Sequence, residues 1–554
     1  MIANQKRGHD DLDNLKTKAK IRKEIFYPMS IIFVAAILLG VVAPEAFLKG
    51  EQAIMGFAFK NFGWLFQITS VLFLAVCAFF FFSKYGDIKF GGKDAQPTLS
   101  YWNWFAITLC AGIATGILFW GTAEPLMHFT APPPELGIAP NSEAAAMFAL
   151  ETVFIHWTFI PYAMYAIAGL GIAYAIYNMK LPFQVSSTLY PIFGKKIKGS
   201  VGAIVDNLCL FAMFGGVAAV LGVGTLQITM GLNLLAGVPK GKVTWIAIVT
   251  IMVVIFLISS YSGLNKGIRW LSDKNSKIFL GIMAFVFIFG PTTFILSVGT
   301  QGFGHFLDNF FMRTQYLSPV DGGLWPQWWP IVYWAFWLAY APLEGMFFAL
   351  LCKGRTIKQF LMVNLVAPSL FGVLWFSVFG GAAIHGQLQG QGLMEAIQAN
   401  GFEISIFKFF EAYPLGGAIS WVIIVTVILS IVTLCDSMTS TISSLSTTAY
   451  DDPTQEAPGR IKMFWGVAMA SMAIINLLCA GDKVSGIDAT KQLATLAGFP
   501  ILFFMILLTY GTVKMIVQQE KYDLAYYPDT AYIDPEVLVA GDGTGTTGAE
   551  TQSM

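Results

Sequence analysis

The chain has 554 residues, of which 56% are hydrophobic and 12% charged, and its mean hydropathy is +0.65. Its 33 basic and 33 acidic residues give a formal net charge of +0. That composition excludes an ordinary soluble domain, and the absence of a basic, aromatic-interleaved patch gives no reason to expect a nucleic-acid partner.

Residues 1–24 are polar and charged, without an apolar core or small-residue cleavage site, so they read as a cytoplasmic tail and not a signal peptide. Twelve apolar runs follow, at 25–44, 62–83, 103–127, 145–178, 200–235, 243–261, 277–298, 326–352, 359–385, 415–445, 461–480 and 494–517. Each approaches or exceeds the roughly 20 helical residues that cross a bilayer, and long continuous runs predict helices rather than the short alternating strands of a barrel. With basic residues assigned to alternate sides of these spans, 25 of the 33 Lys and Arg fall on the side of the two termini and 8 on the other. That asymmetry places both termini in the cytoplasm. Residues 518–554 read as an acidic, disordered tail, Gly/Thr-rich at its end. Cysteines at 77, 110, 209, 352, 435 and 479 stand singly in apolar segments, and the histidines at 9, 128, 156, 305 and 385 show no metal spacing, so no metal or cofactor is expected.

Two spans depart from a plain apolar helix. The third carries Gly112, Gly116 and Gly121, which lower helix propensity and would permit unwinding. The eighth carries Pro342 and Gly345, where a freed carbonyl needs a partner. Glycines at such spacing also serve helix packing, and a membrane proline is often only a kink. Interruptions at corresponding places in two halves nevertheless mark the binding site of inverted-repeat transporters. On the eighth span, Tyr333, Trp337, Tyr340 and Glu344 fall within about 60° of one another, so three aromatic faces and a carboxylate share a stripe suited to an organic cation. No GxSxG, P-loop, HExxH or dinucleotide loop competes, which argues against an enzyme and against ATP-driven transport. A substrate-gated channel is the alternative class.

The segment Trp334 to Phe347 with Lys353-Gly354-Arg355-Thr356-Ile357 resembles the signature region of the betaine/choline/carnitine transporter family. So do Phe119-Trp120-Gly121-Thr122-Ala123-Glu124-Pro125, His156-Trp157-Thr158 with Tyr165 and Gly169, and Asn265-Lys266-Gly267-Ile268. The resemblance implies an all-α integral membrane fold of twelve transmembrane helices. Within it, two inverted, LeuT-like five-helix repeats, at about 103–298 and 326–517, follow two extra helices in a transporter domain of 25–517. It also implies homotrimers in the inner membrane, and secondary transport of glycine betaine, choline, carnitine or a similar onium solute. The family's aromatic cage maps onto Trp157, Tyr162, Tyr165 and Trp337, with Tyr340 a further aromatic along the pathway.

Departures from the family bear on coupling. Sodium-driven members have hydroxyl residues in the fifth span and a Thr-Ser pair in the tenth, where this chain has Met213, Val217 and Thr433-Leu434. With Gly112 and Ile113 of the third span, these are remnants of ion sites without a full set of hard oxygen ligands. Sodium-independent exchange or proton coupling is therefore expected ahead of sodium symport. Glu344 stands where the family has an uncharged residue, and is expected to face the pathway, pairing with the substrate cation or carrying a proton.

Overall fold

The computed structural model describes residues 19–113, 116–262, 265–448, 457–480 and 486–538. Among the described residues there is no β-strand, only isolated antiparallel bridges of Ile21 with Thr447 and Lys89 with Thr356. The main helices are α1 Lys23–Val42, α2 Pro44–Phe82, α3 Tyr101–Ile113, α4 Gly116–Thr130, α5 Glu143–Trp157, α6 Phe159–Tyr177, α7 Ser200–Ala236, α8 Lys242–Ser262 and α9 Asn265–Phe289. They continue with α10 Thr292–Thr314, α11 Pro330–Leu351, α12 Ala367–Leu388, α13 Gly416–Leu445, α14 Gly459–Ala480 and α15 Gly486–Val517. Helices satisfy every backbone group internally, which is what an apolar solvent demands.

Ten helical segments among the described residues are long and apolar enough to cross a membrane, or eleven if one sharply bent pair counts as a single span. The protein is thus a multi-pass, all-helical membrane protein; among the described residues the count of twelve expected from the sequence is not confirmed. The third expected span falls on α3 and α4, and residues 114–115 between them lie outside the described residues. The expected unwinding there lies outside them too, while Gly112 and Ile113 are helical backbone at the end of α3. The seventh expected span, drawn to residue 298, stops at Phe289. At Gly290-Pro291 the chain turns by 111° into α10, because proline has no N–H to continue the helical ladder. α10 turns Ile295, Val298, Gly302 and Phe306 inward, and Arg313 near its end donates to Glu151 of α5 at 2.8 Å.

The bundle is organised about α6, α7, α11 and α15, each packed on at least two of the others. Burial separates centre from rim: 89% of the apolar window in the α5–α6 segment is inside the protein, against 28% in α1 and in α8. Small residues allow the central crossings. A Cβ built on Gly345 of α11 would come within 2.7 Å of Ala168 and 2.8 Å of the Gly169 backbone on α6. One built on Gly498 of α15 would come within 1.9 Å of the Ala335 carbonyl.

The two ends of the described chain, about Arg22 and Asp523–Val537, pack on the same end of the bundle, near the start of α7. On the N-terminal side Arg22 donates to Asp206 at 2.7 Å and to the Leu445 carbonyl at 3.0 Å, and its backbone N–H bonds the Ser446 carbonyl at 3.0 Å. On the C-terminal side buried Asp523 accepts from Tyr174 at 2.9 Å and Asn178 at 2.8 Å. Further on, Asp534 N–H bonds Tyr190, and Val537 is fully buried.

Candidate functional site

Three elements build the centre: α4, the α5–α6 segment and α11. The expected fourth span is not one straight helix. It breaks at Thr158, whose φ of −123° and ψ of −119° are far from helical, so α5 ends on Trp157 and α6 begins at Phe159. On an unbroken helix Trp157 and Tyr162 would point about 140° apart. The break redirects them onto a common neighbour.

That neighbour is Trp337. Its ring centroid lies 5.6 Å from Trp157, 6.0 Å from Tyr162 and 5.1 Å from Tyr165, and the two tyrosines are 6.5 Å apart. These are the spacings of edge and tilted aromatic contacts. All four rings are buried, the most exposed being Trp157 at 7%. The indole N–H of Trp337 is buried and has no hydrogen-bond partner in the protein. Gly116 of α4 leaves room for Trp157: a Cβ there would lie 3.1 Å from the indole edge.

Tyr340 makes no ring contact with these four among the described residues. Its ring packs on Phe336 and its hydroxyl donates to the Gly216 carbonyl of α7 at 2.6 Å, and a Cβ on Gly216 would strike the ring at 2.7 Å. Glu344 is buried on α11 with Oε2 unpartnered. α11 runs helical through Pro342; the interruption of this segment falls earlier, at Trp329, whose φ of −119° and ψ of −86° separate the short helix Trp325–Trp328 from Pro330.

Of the expected ion-site remnants, Met213 and Val217 are buried apolar side chains beside Gly216, and Thr433 turns its hydroxyl back to the Leu429 carbonyl of its own helix at 2.7 Å. Leu434 is half-buried. Nearby, Asn275 donates to Ser430 at 2.7 Å and Ser259 to Asp436 at 2.7 Å.

A cluster of one carboxylate and two histidines adjoins the rings. Glu124 of α4 is fully buried and accepts from His156 Nδ1 on Oε1 at 2.6 Å, and from Trp157 Nε1 and the Tyr333 hydroxyl on Oε2, both at 2.6 Å. His128, one turn along α4, places Nε2 3.6 Å from Oε1. The ligand atoms of Glu124, His128 and His156 lie within 4.8 Å of one another. The carboxylate is already engaged on both oxygens, so the arrangement is a hydrogen-bonded hub rather than an open coordination site. The available signal was Glu124 at i−4 from His128, together with His156 beside Trp157; only the fold joins them.

The model of the betaine/carnitine/choline family transporters matches residues 24–521 of this chain. The glycine betaine transporter OpuD of Bacillus subtilis (strain 168) is 33% identical over 501 residues, covering 90% of this chain and 95% of the relative. The ectoine/hydroxyectoine transporter of Virgibacillus pantothenticus is 30% identical over 505 residues, 91% and 98% of the two chains. The osmo-dependent choline transporter BetT2 of Acinetobacter baylyi (strain ATCC 33305 / BD413 / ADP1) is 30% identical over 519 residues, 93% and 74% of the two chains.

Proposed function

The chain belongs to the betaine/carnitine/choline transporter family, and from that premise we propose that it moves a quaternary ammonium or related methylated onium solute by alternating access about the cage of Trp157, Tyr162, Tyr165 and Trp337. The family and these relatives are transporters, and the chain is accordingly a transporter and not an enzyme. The observation that carries the substrate reading is the convergence of three rings on Trp337 at 5.1 to 6.0 Å. A trimethylammonium group offers no N–H donor, so its recognition rests on ring quadrupoles and dispersion, each cation–π contact contributing roughly 0.5–2 kcal/mol. The unpartnered Trp337 indole N–H would donate to an oxygen at the other end of the solute, as glycine betaine, choline and carnitine each supply.

Sodium-independent exchange or proton coupling is the first reading of the energy source. Met213 and Val217 supply no side-chain oxygen, Thr433 bonds its own helix, and the Gly216 carbonyl between the two apolar residues is taken by Tyr340. Sodium symport through backbone carbonyls is the second reading. Glu344, with an unpartnered oxygen in a buried setting, belongs to the pathway as a counter-charge or proton carrier. The twelve-span plan of two inverted repeats, the homotrimer, and cytoplasmic termini in an inner membrane complete the proposal.

Uptake of labelled choline, glycine betaine and carnitine into proteoliposomes tests it, with sodium gradient, proton gradient and internal unlabelled solute varied in turn. Saturable uptake stimulated by internal solute or by a proton gradient is expected. Strict dependence on inward sodium would overturn the coupling order, and no uptake of any onium would overturn the substrate class. In the same assay Glu344→Gln is expected to change either affinity or pH dependence; if both stay as in the parent, the role given to Glu344 falls.

A further inference from the structure

We propose that Glu124, His128 and His156 form a buried proton-binding site whose occupancy opposes onium binding in the neighbouring cage. The inference rests on the cage reading and adds to it a second ligand, the proton, with its own residues.

The geometry separates the two carboxylate oxygens by task. Oε2 holds the cage side, accepting from Trp157 Nε1 and the Tyr333 hydroxyl at 2.6 Å each. Oε1 faces the histidines, with His156 Nδ1 at 2.6 Å and His128 Nε2 at 3.6 Å. His128 Nε2 is buried and without a hydrogen-bond partner, and the whole imidazole is 1% exposed. A neutral imidazole presents a lone pair at its unprotonated nitrogen, whereas an imidazolium donates from both nitrogens. With the neutral ring protonated on Nδ1, a proton on Nε2 converts an orphaned acceptor into a donor facing Oε1. Closing that 3.6 Å gap draws the carboxylate toward His128 and away from Trp157 and Tyr333.

Charge counting gives the same sign. One carboxylate and two imidazoles, all shut from water, offer a single negative charge, and an onium in the ring cage and a proton on the histidines both draw on it. Two cations that both draw on the Glu124 charge bind antagonistically, and the antagonism is reciprocal. The groups facing the site come from three helices: His128 of α4, His156 of α5 and Tyr333 of α11. Around them the walls are aromatic: His128 lies 4.4 Å from Trp329 and 5.7 Å from each of Trp325 and Phe148. Phe148 also carries the Arg313 guanidinium 5.2 Å from its ring, and that guanidinium is paired with Glu151. Glu344, a further buried carboxylate on the helix that carries Trp337, is controlled for by its own variant.

The test is equilibrium binding of labelled choline, whose own charge is constant, to the purified full chain between about pH 8 and about pH 5, where histidine changes charge. Affinity is expected to weaken by about fivefold or more on acidification, and choline binding at an intermediate pH to release protons into weakly buffered solution. His128→Gln is expected to reduce the slope of the pH profile and the proton release while still binding choline; Glu344→Gln, whatever it does to affinity, is expected to leave a pH dependence that His128→Gln then removes. Should His128→Gln fail to fold, His156→Gln provides the second variant and is expected to flatten the profile likewise. Choline binding with a flat profile in the parent, or an unchanged slope in both His variants, overturns the proton site and leaves the cage intact. Absence of choline, betaine and carnitine binding at every pH overturns the cage reading and this one with it. Loss of binding caused by micromolar zinc, together with a flat pH profile, would mean a metal site and not a proton site.

Discussion

A tryptophan in a membrane helix has two parts that answer to different forces. The ring of Trp337 is the common neighbour of Trp157, Tyr162 and Tyr165, and its N–H has no partner. Trp337→Phe keeps a π face and loses the N–H, while Trp337→Ala loses both along with the packing of three rings. We expect choline affinity to fall about tenfold or more in Trp337→Ala, the equivalent of one strong cation–π contact, and by less in Trp337→Phe. The ratio for glycine betaine should be more sensitive to Trp337→Phe, because its carboxylate is the better acceptor. Equal binding by Trp337→Ala and the parent, measured by calorimetry, would remove Trp337 from the cage. At this scale the sequence was informative: the four rings that converge about Trp337 follow from family likeness, whereas Phe376 beside Trp157 and Phe348 beside Tyr165 do not. Tyr340 shared the stripe and yet makes no ring contact with the four among the described residues, and its hydroxyl finds the Gly216 carbonyl, which no pattern on α11 alone reveals.

At the scale of elements, the glycines discriminate between crossing points and open surface. A side chain on Gly498 meets the Ala335 carbonyl at 1.9 Å, backbone that cannot swing aside, whereas nothing lies within 4 Å of a Cβ on Gly50 of α2. Gly498→Ala is expected to lower stability by about 1–3 kcal/mol, the usual cost of forcing extra volume into a packed core, and Gly50→Ala to leave it unchanged or slightly raised. Thermal melts of the two variants in one detergent check this; equal melting temperatures would mean that the α11–α15 crossing is not held by the glycine. The breaks at Thr158 and Trp329 were not legible in the sequence. The residue types that attract suspicion, Gly112 and Pro342, differ from those at which described chain leaves the helix, because a packed protein satisfies the freed backbone groups wherever tertiary partners stand.

Over the whole molecule, the N-terminal segment ties distant parts of the bundle at one end. Arg22 reaches both Asp206 at the start of α7 and the final carbonyls of α13, and Ile21 bridges Thr447. Arg22→Ala is expected to release this strap, seen as faster tryptic cleavage after Lys20 and Lys23 in the folded full chain. Unchanged cleavage would show that the backbone bridges suffice. A bilayer solvent leaves the topology largely to hydropathy and basic-residue asymmetry, so the multi-pass helical class, the transporter family and the identities of the ring residues were determined by the sequence itself. Only the tertiary structure decided that the fourth expected span breaks at Thr158 to turn Trp157 and Tyr162 onto one ring, and that the seventh turns aside at Pro291. It also decided that Glu124 gathers His128, His156, Trp157 and Tyr333 from three helices. The reason is physical: periodicity reports which face of one helix is apolar, while hydrogen bonds and ring contacts between helices depend on crossing angle and register, which are properties of the packed whole.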